Sequence, residues 1–224
     1  MKIAIHQPEH MPWPGFFNKI KNVDIFVLLD DVQYRKNYFQ NRNKILDVNF
    51  KDKWITLPIE KQNIIEKINK KKVFYSEDCK SIDKIFNILD GSYKNAKFYS
   101  IYRNDLYGIY KKRFEYLSEL NIAIIDYLTK ILDLKTKLIK SSDLNYSGSK
   151  SDLNLSICKS LNAKEYLSGI SGIDYLNIKE FEKNNIRVTF QKYKFPQYLP
   201  GFKLPNLSVV DMIFRLGQES KKYI

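Results

Sequence analysis

Met1-Lys2-Ile3-Ala4-Ile5-His6-Gln7-Pro8, followed a helix later by Asp24-Ile25-Phe26-Val27-Leu28-Leu29-Asp30-Asp31, decides the fold. Each stretch is a short apolar run that stops abruptly at polar residues, the pattern of a strand buried on both faces. Between them Phe16, Phe17 and Ile20 recur at helical spacing, behind a loop stiffened by Pro8, Pro12 and Pro14. Strand, loop, helix and strand within about thirty residues make a βαβ unit with parallel strands and a right-handed crossover. Ligands of such sheets bind beyond the carboxyl ends of the strands. His6-Gln7 and Asp30-Asp31 both occupy such ends, so they are expected to face each other across one cleft.

Further along, Lys53-Trp54-Ile55-Thr56-Leu57-Pro58-Ile59 alternates and stops at a proline, as a strand does. Residues 61–120 read as largely helical, with Ile82, Ile85, Phe86 and Leu89, then Tyr107, Tyr110, Phe114 and Leu117, at helical spacing. Lys67 to Lys72 reads as a solvated stretch beside a strand Val73-Phe74-Tyr75, and Ile122 to Ile125 as a strand or a helix end. Leu153, Ile157 and Leu161 mark a helix. Glu165-Tyr166-Leu167-Ser168-Gly169 is a strand and turn, Ile186 to Phe190 a strand, and Val209 to Leu216 a helix capped by Ser208. No repeat or linker interrupts the pattern. The expectation is one compact α/β domain over residues 1–224, with a βαβ amino-terminal unit and a mostly helical insertion at about 60–145.

The bulk composition removes several classes of function. Fourteen per cent aromatic and 44% hydrophobic content suit a packed domain and not a disordered chain. No run reaches the roughly 18 apolar residues of a membrane span, and the short apolar start lacks the core and cleavage site of a secretory signal. Two cysteines, Cys79 and Cys158, are too few for a disulfide framework; Cys158 sits among apolar residues of a helical face and reads as core. A cytoplasmic protein is expected. The net charge of +13 invites a nucleic-acid partner, but the lysines are scattered along helical faces with many Ile and Asn. A basic surface of this kind attracts smaller anions, such as nucleotide sugars, or an acidic carrier protein. No specific nucleic acid is expected.

The chain's two histidines, His6 and His10, share one loop, and with Asp30 and Asp31 they offer a base and an orienting carboxylate. Equally, His6 can cap a strand end and His10 lie exposed. A metal held by these four is conceivable, but no familiar spacing supports it, and no metal is expected. Gln33, Asn41 and Arg42 add directional groups suited to a sugar hydroxyl, an amide or a phosphate, or to bonding their own loop. Ser168-Gly169-Ile170-Ser171-Gly172 is a small-residue turn after a strand whose NH groups and hydroxyls could hold an anion. It lacks the glycine pair of a nucleophile elbow, and no Walker loop, dinucleotide fingerprint or metalloprotease helix occurs.

Taken in order, these blocks resemble the WbqC family. The amino-terminal block is His6-Gln7-Pro8, Pro12-Trp13, Gly15-Phe16-Phe17 and Lys19-Ile20, followed by Asp30-Asp31-Val32-Gln33-Tyr34, Phe39, Asn41-Arg42 and Ile45, then Trp54 to Pro58. The carboxyl half carries Tyr166 to Gly169, Gly172, Tyr175-Leu176, Gln191, Tyr193, Gln197-Tyr198, Gly201-Phe202, Pro205, Leu207 to Val209, Asp211 and Phe214. His10 departs from the pattern, which has an aromatic there. The resemblance implies a bacterial cytoplasmic protein of O-antigen and other surface-glycan biosynthesis, with no tightly bound cofactor. It points to a transferase that moves an acyl or aminoacyl group from a CoA or carrier-protein thioester to the amine of a nucleotide-linked amino sugar. Adenylation or nucleotidyl transfer, and a non-catalytic assembly role, are the alternatives. The expected base is His6 or Asp31, and the oxyanion donors are Asn41 or the Ser168-Gly169 turn. Gln7, Trp13, Asp30, Gln33, Tyr34, Arg42, Tyr175 and Gln191 complete the expected substrate-binding set.

Overall fold

A computed structural model describes residues 1–61, 65–76, 78, 80–202 and 206–224. Its centre is a five-stranded sheet in the order β5-β2-β1-β6-β7, every neighbouring pair parallel. The strands are β1 (Lys2–His6), β2 (Ile25–Leu28), β5 (Lys137–Lys140), β6 (Glu165–Ser168) and β7 (Arg187–Phe190). β1 and β2, read from their apolar runs, pair in register from Ile3 with Ile25 to His6 with Leu28.

Because successive side chains of a strand point to opposite faces, the sheet sorts its residues into two cores. Ala4, Phe26, Leu28 and Leu167 join the larger one, which also receives Phe16, Phe17 and Ile20 of helix α1 (Pro14–Lys21). Ile3, Ile5, Val27 and Tyr166 point the other way, onto Ile157 and Cys158 of α5 (Lys150–Ser160) and Phe181 of α6 (Ile178–Lys183). Cys158 is a buried free thiol of that core; Cys79 lies outside the described residues. Each fully buried Phe or Ile contributes about 1.5–3 kcal/mol, so covering both faces is what makes a sheet of four- and five-residue strands stable.

The long excursion between β2 and β5 builds the outer part of the larger core. It opens with an antiparallel hairpin of β3 (Arg42–Leu46) and β4 (Asp52–Thr56) and continues with α2 (Lys80–Tyr93), α3 (Tyr99–Lys111) and α4 (Leu117–Ile131). Ile122 to Ile125 fall in the middle of α4. The span expected to be helical also contains β5, an edge strand. Val73 makes an isolated bridge with Ile59 in place of a full strand. Lys67 to Lys72 is not simply solvated: Ile68 and Lys71 are buried, the Lys71 ammonium 5.6 Å from the Tyr34 ring centre. Near the carboxyl end lies α7 (Val209–Leu216), whose first turn is capped by the Ser208 hydroxyl accepting from the Val210 N–H, and a 3-10 segment (Gly217–Tyr223) follows it. Among the described residues no helix is long and apolar enough to cross a membrane.

Candidate functional site

Strand order places the crevice. The chain leaves β1 for α1 on one face and moves to β2, whereas it leaves β6 for α6 on the other face and moves to β7. β1 and β6 are adjacent, so the two connections part company between their carboxyl ends, the topological switch point at which open α/β sheets bind ligands. A cavity of about 230 Å³ lies there. Its walls include His6 and Gln7 from the end of β1, Lys19 from α1, Ser168, Gly169, Ser171 and Tyr175 from the end of β6, and Arg35 and Tyr38 from the loop after β2. A wider trough of about 420 Å³ follows the outer edge of β5, lined mostly by apolar side chains such as Ile25, Leu28 and Ile122. It lacks a comparable convergence of polar groups.

His6 has a defined tautomer. Its Nδ1 lies 3.0 Å from the Gln7 carbonyl oxygen, which can only accept, so Nδ1 carries the proton and Nε2 is bare. The Phe16 ring meets the imidazole edge-on at 5.1 Å. Burial and the nearby Lys19 ammonium lower the His6 pKa to about 3, partly offset by the Gln7 bond, and the ring is neutral at ordinary pH. Glu9 Oε1 stands 3.8 Å from Nε2. That carboxyl is buried, its other oxygen has no hydrogen-bond partner, and desolvation, opposed by Lys19, raises its pKa to about 8. Lys19 is only 4% exposed; burial, opposed by Glu9, lowers its pKa to about 8. Among the described residues no carboxylate comes within ion-pair distance of its ammonium.

The small residues of the β6 turn shape the opposite wall. A Cβ on Gly169 would lie 3.3 Å from Lys19 Nζ, and one on Gly172 would displace the Ser168 hydroxyl. The Tyr175 hydroxyl accepts a 3.4 Å bond from Asn154, which also lines the cavity. Gln7 spends its carboxamide oxygen on Gln40 Nε2 (2.6 Å), and Gln40 Oε1 accepts from the Arg35 N–H (2.7 Å). That chain of bonds fastens the Arg35–Tyr38 loop to the crevice.

The residues expected to share one cleft therefore divide. His6, Gln7, Ser168, Gly169 and Tyr175 line the crevice. Asp30 and Asp31 point away, toward β5. The buried Asp30 carboxylate accepts from Ser141 Oγ (3.1 Å) and from Ser142 N–H (3.0 Å) and Oγ (2.9 Å), while Asp31 accepts from the Tyr146 and Ser141 hydroxyls. Asn41 lies outside the crevice lining and braces its loop: Nδ2 donates to the Leu57 carbonyl and Oδ1 accepts from Tyr34, both at 2.9 Å. Arg42 lies over the Trp54 ring at 4.2 Å and donates to the Asn37 carbonyl. Gln33 bridges to Lys67 through the backbone. Gln191 donates to the Gly15 carbonyl (2.7 Å) and Asn18 Oδ1 (2.8 Å). Trp13 packs edge-on against Tyr193 and fills the space where a Cβ on Gly15 would stand. His10 is wholly buried: Nδ1 lies 3.3 Å from Asn121 Oδ1 and Nε2 3.2 Å from the Tyr110 hydroxyl. It staples the loop to the helical excursion. Among the described residues no three His, Cys, Asp or Glu side chains are grouped to hold a metal.

Lys19 in the crevice lining and Glu9 beside His6 are given no role by the sequence reading, although Lys19 falls in its amino-terminal block. The available signal is positional: Lys19 falls three residues after Phe16, on the side of α1 that carries Phe16, Phe17 and Ile20, where a charge needs a reason to be.

Comparison with known proteins agrees with the blocks noted in the sequence. Residues 7–223 match the WbqC-like protein family. The chain is 30% identical over 229 residues to an uncharacterized protein of Mycobacterium tuberculosis, covering 100% of this chain and 97% of that protein. No solved structure matches.

Proposed function

We propose a function for this chain, which belongs to the WbqC-like protein family, from the chemistry its crevice can perform. It is a cytoplasmic transferase of surface-glycan biosynthesis that moves an acyl or aminoacyl group from a thioester donor, CoA or an acidic carrier protein, to the amine of a nucleotide-linked amino sugar. The observation that carries the reading is the bare Nε2 of His6, held by the Gln7 carbonyl and open to a polar cavity at the switch point of the sheet.

Amide formation needs a free amine, a base for its proton and donors for the tetrahedral oxyanion. The amine nitrogen attacks the thioester carbonyl carbon. The proton it sheds passes to His6 Nε2, the carbon–sulfur bond breaks, and the thiolate leaves, taking a proton back from the imidazolium. Glu9, 3.8 Å from Nε2 and protonated below about pH 8, gives the imidazolium a neutral carboxyl oxygen to face. The base is assigned to His6 and not to Asp31, whose carboxylate is already held by two hydroxyls.

Size supports a divided substrate. Ligand pockets for drug-sized molecules run to roughly 300–1,000 Å³, so a cavity of about 230 Å³ suits one sugar ring and its amine. The nucleotide would lie outside, over Arg35 and Tyr38, whose guanidinium and ring already stack at 4.9 Å. Scattered lysines elsewhere suit a carrier of opposite charge.

The test is consumption of thioester by the intact protein supplied with acyl- or aminoacyl-CoA, loaded carrier proteins and nucleotide-linked amino sugars. Wild type should release thiol and yield an N-acylated sugar nucleotide. His6→Ala should lose roughly 10²–10⁴ in rate with little change in apparent affinity, because the lost interaction belongs to the transition state. If wild type consumes no thioester with any acceptor, or folded His6→Ala turns over normally, the reading fails.

A further inference from the structure

Among the described residues, the crevice lining carries two cationic side chains, Lys19 and Arg35, and no carboxylate. Lys19 is the unusual one. It is 4% exposed, lines the cavity, and neither donates a hydrogen bond nor forms an ion pair within 4 Å among the described residues. A buried cation left without a counter-charge is costly, and folds keep one where something else supplies the charge. Glu9 is the nearest candidate, but it does not close on the ammonium, and one of its oxygens has no partner.

The opposite wall is cut back to leave room in front of that ammonium. Gly169 has φ −69°, a backbone any residue can adopt, so its missing side chain is explained by space and not by conformation. A Cβ there would sit 3.3 Å from Nζ, in the position an incoming oxygen would take. Gln7, its carboxamide oxygen held by Gln40, has its NH2 as the end available to a ligand. Ser171 and Tyr175 add hydroxyls to the same lining, and Arg35 a second cation.

We propose that Lys19 anchors a buried site for a tetrahedral oxyanion, completed by Gln7 and the Gly169–Tyr175 wall. Sulfate-like and phosphate-like groups fit its chemistry directly. Under the acyl-transfer reading above, on which this second step alone rests, the anion is the tetrahedral intermediate, and Lys19 is a catalytic residue. Burial is the larger cause of the lowered His6 pKa, and an anion bound to Lys19 offsets the smaller contribution of its ammonium, so the imidazole gains some basicity as the intermediate forms.

The groups facing Lys19 are His6 from β1, Glu9 from the loop after it, Arg35 and Tyr38 from the loop after β2, and Tyr166 and Tyr175 from β6 and its turn. Two of the facing charges change in the same range. Lys19 loses its proton near pH 8, removing the positive charge, and Glu9 loses its proton near pH 8, adding a negative one. Both act in one direction, so anion binding is strong below that range and falls as pH rises through it. His6 gains charge only near pH 3 and leaves the window between undisturbed.

Sulfate is the probe, because its charge is constant across this range. Isothermal titration of the full chain at pH 6.5 should show one saturable site, weakening roughly tenfold or more by pH 9 as the two protons leave. Lys19→Met should weaken binding by roughly tenfold or more, as loss of a charge-assisted bond predicts. Gly169→Ala, which leaves α1 intact, should also weaken it, and it serves alone if Lys19→Met does not fold. No saturable sulfate at pH 6.5, or undiminished affinity in folded Lys19→Met or in Gly169→Ala, overturns the site. Kinetics separate the sources of the anion. A fall in kcat at constant KM in Lys19→Met assigns the intermediate, whereas a rise in KM at constant kcat assigns a substrate phosphate and overturns the catalytic role. A protein that binds sulfate at Lys19 but consumes no thioester leaves the anion site standing and removes only the transfer reading.

Discussion

Two polar clusters sit at the carboxyl ends of the same sheet, and they are built on opposite terms. At the ends of β2 and β5, Asp30 and Asp31 meet Ser141, Ser142 and Tyr146, and the carboxylates are met by serine and tyrosine hydroxyls and the Ser142 N–H. At the ends of β1 and β6, His6 Nε2 is bare, and among the described residues Glu9 Oε2 has no hydrogen-bond partner and Lys19 no counter-ion within 4 Å; His6 and Lys19 line a cavity there. The first cluster is closed on itself and acts as a clamp that ties the edge strand β5 to β2. The second is left incomplete by the protein alone. Buried polar groups are normally satisfied internally, so an incomplete set around a cavity is the stronger sign of a ligand than density of polar residues.

The largest effect expected from this contrast is in acid. His6 and His10 have folded pKa values of about 3 and about 4, against 6.5 for a free imidazole. The folded state therefore binds fewer protons than the unfolded one. The stability these residues contribute is full above about pH 6.5 and is lost as pH falls toward 4 and then 3. Glu9 runs the other way: its folded pKa of about 8 lies above the ordinary 4.5 of a free carboxyl, so its contribution is full below 4.5 and fades as pH rises to 8. Each group changes the slope by about 1.4 kcal/mol per pH unit within its own window, and two histidines outweigh one carboxyl between 4.5 and 6.5. Urea unfolding across pH 4 to 7 should show this, and His10→Gln should flatten the slope by about one proton. An unchanged slope in that variant would show that the loop histidines do not govern acid stability.

Next in size is Asp30→Ala. The carboxylate is buried and its loss strands the Ser142 hydroxyl and N–H, while the Ser141 hydroxyl keeps Asp31; the usual penalty for buried partners left unpaired puts the cost at about 2–4 kcal/mol. Thermal melting should report it, while sulfate affinity in the folded protein stays near wild type. Should Asp30→Ala abolish sulfate binding in protein shown to be folded, clamp and crevice are one unit and the contrast collapses.

What could be read from the chain follows from how local each feature is. β1 and β2 are legible because burial on both faces turns them into unbroken apolar runs, and β6 because Tyr166-Leu167 runs into the small-residue turn that begins at Ser168-Gly169. β5 is four residues at an edge, Lys137-Leu138-Ile139-Lys140, and two apolar residues between lysines specify no period. The His6-Gln7 and Ser168-Gly169 ends are legible as a site because a parallel sheet brings strand ends together whatever the loops do. Asp30 and Asp31 carry the same local signal, and nothing near them reveals Ser141 or Tyr146, more than a hundred residues on, which satisfy them. The role of Lys19, which does fall in the amino-terminal block, is illegible for the converse reason. Its neighbours on α1 bury it, but the space before its ammonium is made by Gly169, which only the pairing of β1 with β6 brings close.

The smallest effect expected is the one that discriminates most sharply between the clusters. Asp31 was a candidate base on the sequence, and Asp31→Asn removes its charge while keeping an oxygen that accepts from the Tyr146 and Ser141 hydroxyls. With both bonds kept, stability should change by about 1 kcal/mol or less. Thioester consumption and sulfate affinity should stay within roughly threefold of wild type, since the remaining influence is a partly screened charge outside the crevice. His6→Ala, by contrast, removes the bare nitrogen itself. A base cannot be replaced by an amide without losing its proton-transfer role, so Asp31→Asn is harmless only if Asp31 is structural. A folded Asp31→Asn protein that loses a hundredfold in rate would move the chemistry to the β2 and β5 ends, and the satisfied cluster would be the one that works.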